Sequence, residues 1–167
     1  MDFETKRLIL HPMTAEELGW YADDPKRLAA RFFSPTWEEQ PDFFKAIVHK
    51  QAERVLADPE NAGWHTFHLI VEKATHALVG SIDFKRPPAD RSVEIGYGVD
   101  ARFRNRGYAT EAADGMCRRA FQSGLVDRVV AATEDGNPAS DRVLRKAGFR
   151  FVRRNGMTNL YERRVDE

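Results

Sequence analysis

Residues Ser92 to Ala113 read SVEIGYGVDARFRNRGYATEAA, and this stretch decides the fold. A strand-like run, Val93 to Val99, leads into a short basic turn holding Arg104, Asn105, Arg106 and Gly107. A helical pattern starts at once, near Tyr108. The first N–H groups of a helix have no helical partner, and the dipole there favours negative charge. A basic, glycine-containing turn feeding such a start predicts an anion site, with phosphate or pyrophosphate as the natural guest. The plainer reading is an exposed charged loop carrying Arg102, Arg104 and Arg106. The position between a strand and a well-formed helix is what a phosphate cradle requires.

The strand itself has two faces by its two-residue period. Val93, Ile95, Tyr97 and Val99 share one; Glu94, Gly96 and Gly98 share the other. Glycine weakens a strand and often marks close approach of a ligand. Glu94 is therefore a candidate general base on a face bordering a cavity. A solvated edge-strand glutamate is the competing reading.

Working outward, Lys6 to Leu10 reads as a first strand, and Thr14-Ala15-Glu16-Glu17 as a capping box opening a helix. Pro25 to Phe33 predicts a short helix. Pro41 to Leu56 predicts a longer one, with Phe44, Ile47, Val48, Ala52, Val55 and Leu56 at helical spacing. Trp64 to Glu72 and Leu78 to Phe84 read as antiparallel strands. After Gly107, Ala109, Ala112, Ala113, Met116, Ala120 and Phe121 form one apolar stripe ended by Gly124. Val126 to Thr133 is a strand. Asn137-Pro138 is a helix start with Asn at the cap and Pro in the first turn. Val143, Leu144 and Ala147 face the core, and Gly148 stops that helix. Phe149 to Arg153 and Leu160 to Val165 close as strands. The order predicts an α/β fold, a mixed sheet with helices on both faces.

Composition bounds the class. At 167 residues the chain is expected to form a single domain over 1–167. Apolar residues are 42%, charged residues 31%, and the formal net charge is +0, so no global field draws it to nucleic acid or an anionic membrane. Met1 to Leu10 is too charged for a secretory signal. One cysteine, Cys117, leaves no internal disulfide framework and no Cys-based zinc site. The expectations are a cytoplasmic protein, a monomer or homodimer, with no metal, nucleic-acid or membrane partner. Cys117 reads as a buried small hydrophobe on its helix. His65 and His68 lie on a strand without a carboxylate at metal spacing. Tyr161 reads as strand packing. Phe32, Phe33 and Trp37 can either cover an acceptor or pack between helices.

Arg104-x-x-Gly107-x-Ala109 after a strand, with Gly-Tyr-Ala-Thr-Glu-Ala from Gly107 to Ala112, resembles the acetyl-CoA motif of the GNAT acetyltransferase superfamily. Asn137-x-x-Ser140 followed by Gly148-Phe149, and the opening Thr5-Lys6-Arg7-Leu8-Ile9-Leu10, resemble its branch of bacterial ribosomal-protein N-terminal acetyltransferases. The resemblance implies a central splayed mixed sheet and acetyl-CoA as co-substrate, wedged where the Val93–Val99 and Val126–Thr133 strands part. It implies that pantetheine pairs with backbone near Tyr97, Gly98 and Val99. Pyrophosphate would rest on amides of Arg104, Asn105, Arg106, Gly107, Tyr108 and Ala109. Asn137 would lie beside the cofactor, and Ser140 would protonate the departing thiolate. Both residues could equally be capping groups. Many GNAT enzymes use a tyrosine later in this helix; the corresponding residue here is Leu144, which carries no proton. The implied reaction is acetyl transfer to a primary amine, a protein N-terminus or a small molecule. A non-catalytic acyl-CoA-binding module is the rival class.

Overall fold

The computed structural model describes residues 1–166. Two short strands, β1 (Phe3–Glu4) and β2 (Leu8–Pro12), precede three helices, α1 (Ala15–Asp23), α2 (Pro25–Arg31) and α3 (Asp42–Ala57). A single turn, α4 (Ala62–His65), leads to the meander β3 (Phe67–Glu72), β4 (Leu78–Phe84) and β5 (Ser92–Val99). Then come α5 (Tyr108–Gln122), β6 (Arg128–Glu134), α6 (Pro138–Lys146), β7 (Arg150–Asn155) and β8 (Thr158–Arg164). The eight strands form one sheet in the order β1-β2-β3-β4-β5-β6-β8-β7. Every neighbouring pair is antiparallel except β5–β6.

The two-residue period of the strands sorts their side chains onto two helical layers. Phe67, Leu69 and Val71 pack with Leu18, Tyr21, Leu28 and Val48 of α1–α3. Leu8, Leu10, Ile70, Val93 and Ile95 pack with Ala112, Ala113, Met116 and Cys117 of α5 and Leu144 of α6. Burying a full aliphatic side chain contributes about 1.5–3 kcal/mol, so these two layers supply the main drive to fold. Arg163 on β8 ties the second layer to the sheet: it donates to Asp114 Oδ1 of α5 at 2.7 Å and to the Ala147 carbonyl at 2.9 Å.

Several sequence boundaries move, each for a local reason. The strand expected from Lys6 is β2, which starts at Leu8, and β1 pairs antiparallel to it without having been anticipated. The strand expected from Trp64 starts at Phe67, because the Asp58 carboxylate holds Asn61 (2.9 Å) and His65 (3.0 Å) in helical turns. The strand expected from Val126 starts at Arg128; the amides of Asp127 and Arg128 turn instead to the Arg91 carbonyl. The capping box is half made. Thr14 accepts from the Glu17 amide at 3.1 Å, but the Glu17 carboxylate reaches His11 Nε2 at 2.6 Å instead of returning to the cap. On α3, Val48 and Val55 are buried while Ile47 and Leu56 are exposed, so its apolar stripe is narrower than its spacing suggested.

Candidate active site

The parallel pair β5–β6 is joined at four rungs only, from Ser92–Arg128 to Ile95–Ala131. Beyond them Tyr97–Val99 stay paired to β4 but not to β6. A cleft of about 530 Å³ opens beside this parting. Tyr97, Gly98 and Val99 form one wall, the Arg104–Thr110 turn the floor, and α6 the other wall through Asn137, Ser140, Arg142, Val143 and Lys146.

The floor is built to meet an anion. Gly107 caps α5 at φ +80°, a left-handed conformation that L side chains rarely adopt, and a Cβ there would lie 3.2 Å from Arg7 Nη2. No side chain caps α5, unlike α1, α2 and α6. Its first amides therefore face the cleft without a protein acceptor from the cap. Arg104, Arg142 and Lys146 add positive charge around it. The turn is held from behind. Glu111 accepts from Thr5 Oγ1 (2.6 Å), the Arg7 amide (2.6 Å) and Arg7 Nε (2.7 Å), and Arg7 Nη1 donates to the Arg106 carbonyl at 2.9 Å. Burial alone would push the Glu111 carboxyl up; the bonds from Thr5 and Arg7 outweigh it and hold it below the usual range.

Of the residues singled out in the sequence, Tyr97, Gly98, Val99, Arg104, Asn105, Gly107, Tyr108, Ala109, Asn137 and Ser140 line this cleft. Arg106 does not; its guanidinium lies 5.6 Å from the Phe103 ring centre and its carbonyl is taken by Arg7. Asn137 caps α6, its Oδ1 accepting from the Ser140 amide at 3.2 Å. The Ser140 hydroxyl is free of that bond and lies 2.7 Å from Tyr97 Oη. Burial pushes the Tyr97 hydroxyl up, against the pull of its Ser140 bond, so it stays protonated at neutral pH. Leu144 is fully buried.

Glu94 is not in this cleft. It lines a second one, of about 440 Å³, on the opposite face of the sheet, with Arg86, Arg128, Arg153 and Glu162. On that face Asp83 of β4 stands opposite Gly96, and Ser81 opposite Gly98. Asp83 is 4% exposed, and burial pushes its carboxyl up to about 6.

Sequence reasoning missed three features. Val143, expected to face the core, instead lines the cleft half-buried, with Arg142 and Lys146 on the same face of α6. The Tyr97–Ser140 contact spans 43 residues and has no local signal. Asp83 reads in sequence only as a polar residue on an alternating strand. Among the remaining candidates, Cys117 is fully buried with its thiol pushed up to about 12 by burial. Tyr161 is buried against Phe151 at 5.8 Å. Phe32 packs into the α1–α3 layer, whereas Phe33 and Trp37 are exposed. Among the described residues no group of His, Cys, Asp or Glu could hold a metal, and no helix is long and apolar enough to cross a membrane.

The family model of the acetyltransferase (GNAT) domain matches residues 7–150. An uncharacterized N-acetyltransferase of Bacillus subtilis, YjdG, is 31% identical over 109 residues, 65% of this chain and 64% of that protein. The ribosomal-protein-serine acetyltransferase of Escherichia coli is 33% identical over 73 residues, 43% of this chain and 41% of that one. The matched segments thus span less than two thirds of these curated relatives. A solved structure of RimL, a ribosomal L7/L12 alpha-N-protein acetyltransferase in complex with coenzyme A, superposes with a TM-score of 0.70 at 16% identity, covering 99% of both chains. That likeness shows the fold.

Proposed function

The chain belongs to the acetyltransferase (GNAT) domain family, and from that premise we propose that it transfers the acetyl group of acetyl-CoA to a primary amine, foremost a protein N-terminal amine. The observation that carries this reading is the cleft at the β5–β6 parting, with its uncapped helix start and its Arg104, Arg142 and Lys146 cations. Its donors suit a pyrophosphate, and Gly107 leaves the backbone open to it. The matched names support an N-terminal amine as acceptor; a small-molecule amine is the alternative.

Acetyl-CoA, when bound, supplies an activated thioester. Arg104 to Ala109 hold its pyrophosphate, and the backbone of Tyr97 to Val99 aligns the arm. The amine enters from the opposite face, past Glu94. Glu94 takes a proton from the ammonium, directly or through water. The amine nitrogen then bonds to the carbonyl carbon while the C–S bond breaks. A backbone N–H near Val99 meets the negative charge on the carbonyl oxygen. Ser140 gives its proton to the sulfur, and the second proton, lost from the amine nitrogen as the amide forms, passes through water and the Tyr97 hydroxyl back to Ser140. We place the protein in the cytoplasm, where a lone reduced cysteine is ordinary.

The test is release of CoA thiol from acetyl-CoA against a panel of peptides and small amines, with the product checked by intact mass. Acetyl-CoA that binds without thiol release for any amine would replace this reading with an acyl-CoA-binding module.

A further inference from the structure

The face of β5 that carries Glu94, Gly96 and Gly98 is a trough. Ser81 and Asp83 of β4, and Lys85 just past its end, stand along its side, with Asp83 opposite Gly96 and the Lys85 amide bonded to the Glu94 carbonyl at 2.8 Å. Lys85 is therefore the cross-strand neighbour of Glu94, yet no ion pair forms between them among the described residues. Its side chain leans along the strand instead. A methyl group built on Gly96 would lie 2.8 Å from Lys85 Nζ and 3.0 Å from Asp83 Oδ1. The absence of a side chain at position 96 thus opens a space that an alkylammonium, the end of Lys85, already fills.

Asp83 is the group that space serves. It is 4% exposed, and its own amide and that of Gly96 support its carboxylate, with no side-chain ion pair among the described residues. A buried carboxylate without a cation is costly, and a neighbouring ammonium relieves that cost. Burial pushes the carboxyl up to about 6; Lys85 pulls it down, Glu94 raises it, and the amides of Asp83 and Gly96 lower it. From the helical layer, Tyr21 also faces Asp83, with Glu38 of the α2–α3 loop acting on Tyr21 in turn, and the Tyr21 hydroxyl is occupied with Ser81 Oγ at 3.0 Å.

We propose that Asp83, with Glu94 on the next rung and the open space over Gly96 between them, is the seat of the acceptor's ammonium group, and that Lys85 is an internal occupant which the acceptor displaces. This rests on the acetyl-transfer reading for its substrate class, a primary alkylammonium. Asp83 is then a substrate-recognising residue, and Glu94 is placed to receive the proton of the amine held there.

The experiment has two arms. In the first, the Lys85 side-chain signal is followed by heteronuclear NMR in protein labelled at lysine, assigned by its loss in Lys85→Met. Propylammonium chloride is titrated against sodium chloride of equal ionic strength. A saturable shift of the Lys85 signal is expected with propylammonium alone, and its loss in Asp83→Asn. In the second arm, acetyl-transfer kinetics should show KM for the amine raised tenfold or more in Asp83→Asn and lowered severalfold in Lys85→Met. Acetyl-CoA affinity by calorimetry should be unchanged in both. A Lys85 signal that moves equally with sodium chloride, together with an unchanged amine KM in Asp83→Asn, overturns the seat while leaving acetyl transfer intact. Saturable binding of propylammonium in a protein that releases no thiol overturns acetyl transfer and leaves the seat standing.

Discussion

Replacing Glu111 tests the clamp that ties the first strands to the basic turn. Its carboxylate accepts three hydrogen bonds, from Thr5 Oγ1, the Arg7 amide and Arg7 Nε. The Glu111 side chain is 17% exposed and that of Arg7 41%, so water screens the charge pair but not the other two bonds. Allowing about 1 kcal/mol for the screened pair and about 1 kcal/mol for each remaining bond, Glu111→Ala should cost about 3 kcal/mol. Glu111→Gln keeps a carbonyl acceptor and should cost about 1 kcal/mol. For a chain of this size these are falls in melting temperature of about 6–12 °C and about 2–4 °C. The pH dependence has a definite sign. The Glu111 carboxyl is held below its unfolded value, so its stabilisation is complete above about pH 4.3 and is lost as pH falls through the folded value. Circular-dichroism melts at pH 7 and pH 3 should therefore show the gap between wild type and Glu111→Gln closing in acid. Acetyl-CoA affinity should weaken along the same series, because Arg7 also holds the Arg106 carbonyl. Glu111→Ala melting within about 2 °C of wild type at pH 7 would refute the clamp.

Gly107→Glu places a side chain on a left-handed cap and a negative charge on the cleft floor; calorimetry should show acetyl-CoA affinity reduced by about tenfold or more in a folded protein. Ser140→Ala should lower turnover by roughly tenfold or more without changing the melting temperature, whereas Asn137→Ala should cost about 1 kcal/mol of stability through the lost cap. Normal turnover in Ser140→Ala would leave water as the acid. Glu94→Gln should cut turnover near neutral pH by roughly a hundredfold, with cofactor affinity unchanged; wild-type rates across the pH range would remove Glu94 from the reaction. His68 is fully buried with both ring nitrogens unpartnered, and burial, with Arg119, His11 and the N-terminus, pushes it down to about 3. The unfolded chain binds the extra proton below about pH 6.5, so stability falls as pH drops, by about 2 kcal/mol at pH 5. His68→Leu should remove that slope, and parallel pH profiles for the two proteins would contradict it.

The sheet and its two helical layers were legible because periodicity is local. Val93, Ile95, Tyr97 and Val99 declare a buried face by alternation, and Asn137-Pro138 and Gly107 mark helix starts by their own stereochemistry. The same alternation put Glu94 with Gly96 and Gly98. It could not say that Glu94 looks away from the basic cleft, because that depends on which side α5 and α6 cover. Nor could it show Tyr97 beside Ser140, or Lys85 leaning over Gly96 toward Asp83, since those contacts arise only when separate segments meet. The helical turn at 62–65 was hidden by Trp64 and His65, which suit a strand, whereas the Asp58 carboxylate holds His65 in the turn.

The four-rung join between β5 and β6 has a mechanical meaning. The sheet is two slabs, β1 to β5 and β6 to β8, meeting along a short seam. Past the seam no ladder fixes how far apart they stand. The spacing is set by helix packing, α5 resting on both slabs and α6 on β6 and α5, by Arg163 bracing β8 against α5 and the end of α6, and by the Tyr97–Ser140 contact across the cleft. The width of the aperture is therefore an output of core packing. A substitution at Met116, Cys117 or Leu144, none of them exposed, changes the aperture as directly as one on its walls.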